Sequence, residues 1–220
     1  MEELNCETVF TIPLFGGIPI AESVVVTWII MAALTLLSIF LVRNLQVENP
    51  GKKQLALEMM IGGIYDFFEG LVGDEGKRYI PYLISVAIYI GVANLIGLLG
   101  FKPPTKDLNA TVALALMSIL LIEYAGFHKK GLKGFIKGFA EPVPVIAPIN
   151  ILELFIKPLS LCMRLFGNVL GSFVVMELIK LLAAPIVPIP FTFYFDIFDG
   201  LIQAYVFVFL TALFIKEAVE

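Results

Sequence analysis

One arginine lies in a stretch of the chain that is otherwise strongly apolar. Arg164 is the only charged residue in the run LCMRLFGN at positions 161–168, and long apolar segments flank this run on both sides. Placing an arginine at the centre of a lipid bilayer costs roughly 2.5–3.5 kcal/mol on insertion scales. The position therefore predicts either a structural ion pair inside a helical bundle or a hydrated path beside the guanidinium group.

Helical periodicity brings further polar and small residues onto the face that carries Arg164. At about 100° per residue, this stripe consists of Asn150, Glu153, Lys157, Ser160, Arg164 and Asn168, together with Gly167 and Gly171. Because glycines let two backbones approach closely, the stripe predicts a face that slides against another protein surface. Glu177 and Lys180 point to nearly the opposite face, which indicates a second polar environment behind the helix.

The last apolar segment carries a second polar stripe. Asp196, Asp199 and Gln203 stand at i, i+3 and i+7, which is one face of an α-helix. Two carboxylates at that spacing can raise one another's pKa and hold or relay a cation. The alternative for Asp196 is a cap in the first helical turn. Together the two stripes predict a hydrated path for a small cation.

The composition identifies the environment of these residues as a membrane. Hydrophobic residues make up 59% of the chain and charged residues 15%, whereas soluble domains contain about 25% charged residues. No basic cluster with interleaved aromatic residues is present, which argues against nucleic-acid binding. A single His128, two distant cysteines and the lack of a glycine-rich phosphate loop predict no metal, no disulfide framework and no bound cofactor.

The apolar runs predict an all-α membrane protein with about five transmembrane helices and one interfacial amphipathic helix. The expected spans are residues 23–42, 79–99, 108–127, 149–183 and 191–215, and the amphipathic helix covers residues 55–72. A helix over 149–183 is roughly 50 Å long and exceeds a bilayer core of about 30 Å. It must tilt, and it forms a long hairpin with the last helix. We expect prolines 185, 188 and 190 to form the turn of this hairpin, and residues 141–148 to form a loop.

Residues 1–220 are expected to form a single integral membrane domain in three parts, 1–78, 79–127 and 149–216. Basic residues concentrate on one side of the predicted spans. That side carries Arg43, Lys52, Lys53, Lys77, Arg78, Lys129, Lys130, Lys133, Lys137 and Lys216, and the other carries Lys102 and Lys106. The positive-inside rule then predicts an external N-terminus and a cytoplasmic C-terminus. The lack of a transit peptide favours a bacterial plasma membrane.

Three segments, in the same order along the chain, resemble subunit a of the F-type ATP synthase. They are PLSLCMRLFGN at 158–168, PPTKDLNATVALAL at 103–116 and IQAYVFVFLT at 202–211. The resemblance implies a stationary, non-catalytic subunit that contacts membrane lipid, a rotating ring of c subunits, b subunits and other ATP synthase subunits. It also implies that protons or sodium ions pass through two offset half-channels to carboxylates on the ring.

The resemblance further implies roles for individual residues. Arg164 separates the half-channels, Asn168 belongs to the same motif, and Gln203 lies near the arginine. The outer half-channel is lined by Glu177, Asp196 and Asp199, and the inner one is bordered by Asn150, Glu153 and Ser160. The chain departs from many relatives at Phe173, where they carry Glu or His, and at Asp196, where some carry His.

Two alternatives from other functional classes remain open at the level of sequence. A stand-alone ion-coupled secondary transporter would be expected to contain internal repeats, and none is visible. A structural membrane scaffold would leave Arg164, Asp196, Asp199 and Gln203 as buried pairs that could be replaced without loss of ion flux.

Overall fold

A computed structural model describes residues 8–12, 18–43, 45–46, 50–99, 101, 103–138, 147–182 and 188–219. Two short antiparallel strands, β1 (Thr8–Ile12) and β2 (Ile18–Ala21), precede the helices. The helices are α1 (Glu22–Val42), α2 (Lys52–Val72), α3 (Ile80–Leu95), α4 (Leu108–Gly138), α5 (Ala147–Leu182), α6 (Pro188–Phe193) and α7 (Gly200–Val219). Three 3₁₀ turns, Asp74–Tyr79, Ile96–Leu99 and Pro104–Lys106, flank α3 and lead into α4, and a π-helical turn, Tyr194–Asp199, joins α6 to α7.

The predicted all-α membrane architecture is confirmed. Within the described residues, five helices are long and apolar enough to cross a membrane, and they are Glu22–Val42, Asp74–Leu98, Leu108–Gly131, Pro148–Ile179 and Ile197–Val219. The amphipathic helix is also present as α2, which buries Phe68 and Val72 and exposes Glu58 and Asp66. The β1–β2 hairpin was not predicted from the sequence.

Three details of the predicted boundaries are wrong. The last helix is not one continuous α-helix over 191–215, because the π-helical turn interrupts it before Gly200. Pro188 and Pro190 belong to α6 instead of the turn, and Pro148 lies in the first turn of α5 instead of a loop. Proline is compatible with a first helical turn, since the backbone N–H that it lacks would have no partner there. Pro185 and residues 141–146 lie outside the described residues.

The core of the bundle forms where α3, α4 and α7 pack together, with α2 against α3 and α7. Its fully buried side chains include Ile80, Leu83, Ile90, Ile122, Phe207 and Ile215. By contrast, Val26 and Ile30 are the fully buried apolar side chains of α1, and the helix exposes most of its apolar surface, with Phe40 at 76% exposure. This exposure fits a helix surrounded by lipid.

A buried polar network fixes the start of α7 against α3. The side-chain amide of Asn94 donates to the backbone oxygen of Gly200 at 2.9 Å, and the hydroxyl of Thr105 donates to Asn94 Oδ1 at 2.8 Å. A Cβ atom at Gly200 would lie 2.9 Å from the Cβ of Asn94, so only glycine permits this approach. The network therefore determines where the polar residues that follow on α7 are held.

A buried carboxylate connects α1 to the beginning of α4. Asp107 accepts hydrogen bonds from the hydroxyl of Ser23 at 2.5 Å and from the backbone N–H of Asn109 at 2.9 Å. The second bond is a helix N-cap interaction, which satisfies one of the free N–H groups of the first turn. Asp107 thus starts α4 and holds the first span beside it.

Candidate functional site

Two hydrogen bonds set the register between α5 and α7. Asn168 Nδ2 donates to Gln203 Oε1 at 2.5 Å, and Ser172 Oγ donates to Asp199 Oδ2 at 3.2 Å. One turn forward on α5 corresponds to one turn backward from α7 into the π-helical turn that precedes it, so α5 and α7 run antiparallel. The ammonium group of Lys157, 5.3 Å from the ring centre of Phe214, continues the same register towards the other end.

Arg164 lies on this α5 surface, one turn before Asn168. If the same residue pairing is continued along the two helices, Arg164 lies opposite Phe207, which is buried in the core. The arginine side chain itself is half-buried, and among the described residues it makes no hydrogen bond or ion pair. The described part of the chain therefore contains no partner of the kind that a purely structural arginine would require.

The small residues of the predicted stripe form an open surface beside Arg164. Gly167 and Gly171 are exposed, and a Cβ atom added at either would meet no atom within 4 Å. Ser160 is also exposed. Two exposed glycines next to a half-buried guanidinium leave room for a second protein to approach the backbone of α5.

Gln203 is the most deeply buried polar residue on α7 that was predicted to have a role. Its side chain is 2% exposed, and its Oε1 atom is occupied by Asn168. Within the described residues, its Nε2 atom has no hydrogen-bond partner. An unsatisfied buried donor costs about 1–3 kcal/mol, and such exceptions call for an explanation beyond packing.

A cavity of about 210 Å³ lies between α4, α5 and α7. Its polar α5 residues belong to the same stripe as Arg164 and lie closer to the N-terminal end of the helix. Its polar lining consists of Glu123, Lys130, Asn150, Glu153, Lys157 and Glu217. Lys157 Nζ lies 3.1 Å from Glu217 Oε1 and 3.9 Å from Glu153 Oε2. The cavity therefore contains two of the residues predicted for the inner path, Asn150 and Glu153, but not Ser160.

Sequence reasoning did not assign Glu123, Lys130 or Glu217 to a site. Glu123 carried a usable signal, because an acidic residue inside a predicted span is costly and usually functional. Lys130 and Glu217 carried none, since a basic loop and a charged helix end have ordinary explanations. Only the packing of three helices brings these side chains to one cavity.

At the opposite end of the α5–α7 pair, the predicted outer residues are only partly brought together. Asp199 is half-buried and bonded to Ser172, and Glu177 is half-buried farther along α5. The α-helical spacing assumed for Asp196 and Asp199 is wrong, because both belong to the π-helical turn. The side chains of Asp196 and Lys180 lie outside the described part of the structure. π-helical turns occur frequently at functional sites.

Phe173 on α5 takes part in a cation–π contact. Lys106 Nζ lies 3.1 Å from the centre of the Phe173 ring. This contact joins the 3₁₀ turn before α4 to the middle of α5.

Among the side chains that the structure describes, no three His, Cys, Asp or Glu groups are close enough together to hold a metal ion.

Comparison with known proteins gives a consistent result over nearly the whole chain. Residues 24–216 match the family model described as the ATP synthase A chain. The chain is 40% identical over 206 residues to "ATP synthase subunit a" of Moorella thermoacetica, a match that covers 93% of this chain and 94% of the relative. It is 37% identical over 205 residues to "ATP synthase subunit a 2" of a Bradyrhizobium species, covering 93% and 91% of the two chains. It is 32% identical over 219 residues to "ATP synthase subunit a, sodium ion specific" of Propionigenium modestum, covering 92% and 75%.

Proposed function

Because the chain belongs to the ATP synthase subunit a family, we propose that it is the stationary ion path of the Fo sector. The chain is a multi-pass membrane component of an ATP synthase complex. In the proposed mechanism it performs no catalysis itself. It offers two offset half-channels to a rotating ring of c subunits, and Arg164 separates them.

The observation that carries this proposal is the position of Arg164 on an accessible face of α5 with no partner among the described residues. A guanidinium group stays charged at every relevant pH. In the membrane it therefore needs an anionic partner, and a carboxylate on the ring supplies one. Arg164 attracts that carboxylate in its ionised form, favours release of its ion, and repels a cation that moves directly between the half-channels.

This separation couples ion flow to rotation. An ion that cannot pass Arg164 must travel with the ring for almost a full turn before it leaves by the other half-channel. Each elementary charge that crosses 100 mV supplies about 2.3 kcal/mol. The open surface at Gly167 and Gly171 suits a ring that slides past at close range.

The inner half-channel corresponds to the cavity between α4, α5 and α7. Asn150 and Glu153 line it, and exposed Ser160 lies between the cavity and Arg164 along the α5 stripe. The amide, carboxylate and hydroxyl oxygens of these three residues, with Lys157 between Glu153 and Ser160 on the same stripe, give a cation a polar route in an otherwise apolar helix pair. This route ends at the face on which the ring carboxylate would be exposed.

The outer half-channel runs along the other end of the same helix pair. We assign Asp199, Asp196 and Glu177 to its lining, with Asn168 and Gln203 between it and Arg164. The bonded pairs Ser172–Asp199 and Asn168–Gln203 keep polar atoms at the helix interface on this side. The buried Nε2 atom of Gln203 has no acceptor within the described residues, and a water molecule that enters the helix interface along this path would supply one.

The transported ion is a proton or a sodium ion. One relative is named as sodium ion specific, and an acid-lined outer path is compatible with either cation. The surroundings of the ring carboxylate, which belong to another chain, then select between them. The proposed setting is a bacterial plasma membrane, with the N-terminus outside, the C-terminus in the cytoplasm, and b subunits among the neighbours.

Disulfide trapping tests whether the open face of α5 meets the ring. Gly167→Cys or Gly171→Cys would be combined with a cysteine beside the carboxylate on the ring helix, in a complex in which Cys6 is replaced by serine. Gly63→Cys on α2 is the matched control, because Gly63 is also an exposed glycine with open space around it.

We expect oxidation to cross-link the α5 variants to the ring and to stop ATP-driven ion uptake, and reduction to restore uptake. The Gly63 variant should form no such cross-link. Equal cross-linking from Gly63, or none from either α5 position in an actively pumping complex, would show that the ring contacts a different surface.

A further inference from the structure

Lys157 is held between two carboxylates inside the cavity described above. Its ammonium group binds Glu217 on α7 at 3.1 Å and lies 3.9 Å from Glu153, one turn earlier on its own helix. Its side chain is only 19% exposed. A movement of the ammonium group by less than 1 Å would therefore bring it closer to Glu153 than to Glu217.

The other charged groups that face this ammonium come from each element around the cavity. α4 contributes Glu123 and Lys130, α5 contributes Glu153, and α7 contributes Glu217 beside the Phe214 ring. With Lys157 included, three carboxylates face two ammonium groups, so the formal net charge of the lining is −1. Without Lys157 the net charge would be −2, with the side chains of Glu153 and Glu217 about half exposed.

We propose that the ammonium group of Lys157 competes with the transported cation for the carboxylates of the inner path. Because the ammonium group is tethered to the protein, this competition sets the ion concentration at which the path is half-saturated. This inference rests on the proposed function of the cavity as the inner half-channel. A cation that arrives at Glu217 displaces the ammonium towards Glu153, and departure of the cation reverses the exchange. The net charge of −1 keeps the path selective for cations, and the lysine prevents a lining with a net charge of −2 from trapping them.

The geometry distinguishes this role from that of a simple structural ion pair. A structural pair needs one well-packed partner, whereas Lys157 has one carboxylate at 3.1 Å and a second within reach at 3.9 Å, and it borders an open volume. It also lies on the same α5 stripe as Arg164, two turns earlier. An ion on its way to the face at Arg164 therefore passes the Lys157 ammonium.

The test measures ATP-driven ion uptake by assembled complexes in liposomes, with the cytoplasmic face outward. External proton concentration is varied at fixed sodium, and sodium is then varied at fixed pH, to obtain the half-saturating concentration and the maximal rate. The variants are Lys157→Met, Glu217→Gln and the double variant. Lys77→Met is the matched control, since Lys77 also lies between two carboxylates, Glu69 at 2.5 Å and Asp74 at 2.7 Å, but away from the cavity.

Because unit charges within a few ångströms of the path change the local ion occupancy several-fold, we expect Lys157→Met to lower the half-saturating concentration by about threefold or more. Glu217→Gln should raise it by a similar factor, since the lining then has no net charge. The double variant restores a net charge of −1 and should return close to the wild-type value. Lys77→Met should leave the half-saturating concentration unchanged.

A purely structural role predicts a different pattern, in which both single variants reduce the maximal rate or the assembly of the complex and the double variant does not recover. That pattern, or a Lys77→Met effect equal to that of Lys157→Met, would overturn the inference. If the Lys157→Met complex fails to assemble, the isosteric Glu217→Gln variant decides the question. A higher half-saturating concentration in that variant supports the inference, and an unchanged or lower one overturns it. An Arg164→Ala complex measured in parallel separates the two proposals, because coupled uptake by that complex would refute the proposed function itself.

Discussion

Replacement of Gly200 by alanine tests how closely α7 must approach α3 to hold the ion path. An added Cβ atom would lie 2.9 Å from the Cβ of Asn94, which cannot move independently of the α3 backbone. The two helices must separate by several tenths of an ångström, and the hydrogen bond from Asn94 to the Gly200 oxygen lengthens. Overpacking of this kind costs about 1–3 kcal/mol.

The helical preference of alanine over glycine, about 0.8–1.0 kcal/mol, offsets part of that cost. Gly91→Ala provides the matched control, because Gly91 lies on α3 at the same interface and its added Cβ would be 4.0 Å from Leu201 Cδ2, an ordinary contact. It gains the same helical preference without overpacking. The two variants should therefore differ by about 1–3 kcal/mol, with Gly200→Ala the less stable.

The assay heats detergent-purified complexes and measures the fraction of the chain that stays assembled, together with ATP-driven ion uptake at 25 °C. We expect Gly200→Ala to dissociate at a lower temperature than Gly91→Ala and to pump more slowly, because Gln203 one turn later shifts with the helix. Adding Asn94→Ala should not rescue it, since the Cβ of residue 94 remains. Equal dissociation temperatures for the two glycine variants would refute the close-approach argument.

Three further variants test other parts of the structure. Asn168→Ala leaves both amide atoms of buried Gln203 without a described partner and should impair pumping. A double-mutant cycle with Gln203→Ala should give a coupling free energy between the two side chains of about 0.6–1.7 kcal/mol. Ser23→Ala removes a donor to the Asp107 carboxylate and should cost about 1.5–3 kcal/mol in the same heating assay, whereas Ser23→Thr keeps the hydroxyl; equal stability of the two would contradict this. α4 kinks at Gly131, whose φ of 67° and ψ of 168° are values that other residues avoid. Gly131→Ala should therefore lower the dissociation temperature by an amount that corresponds to about 1–3 kcal/mol, and an unchanged temperature would contradict this.

The helices could be predicted from sequence for a simple physical reason, and the same reason singles out the candidate site residues. Spans need long apolar runs, and polar residues such as Arg164 and Gln203 stand out within them because lipid penalises them. The α5 stripe followed from helical periodicity alone. It predicted that Ser160, Gly167 and Gly171 share a face, and all three are exposed in the structure.

The features that were missed depend on packing between distant segments. The π-helical turn at Tyr194–Asp199 cannot be recognised from the hydropathy of the sequence. The α-helical spacing assumed for Asp196 and Asp199 was therefore wrong. The bond between Ser23 and Asp107 joins residues far apart in sequence. Likewise, Glu123 and Glu217 acquire a shared role only when α4 and α7 meet at one cavity.

The most direct test of the central proposal replaces Arg164 with alanine in the assembled complex. Reconstituted liposomes would be used to follow ATP-driven ion uptake and, separately, passive ion leak through the Fo sector. We predict normal assembly, loss of uptake and an increased leak, because nothing then keeps the half-channels apart. Uptake at the wild-type rate, without added leak, would contradict the proposal and leave Arg164 with a structural role only.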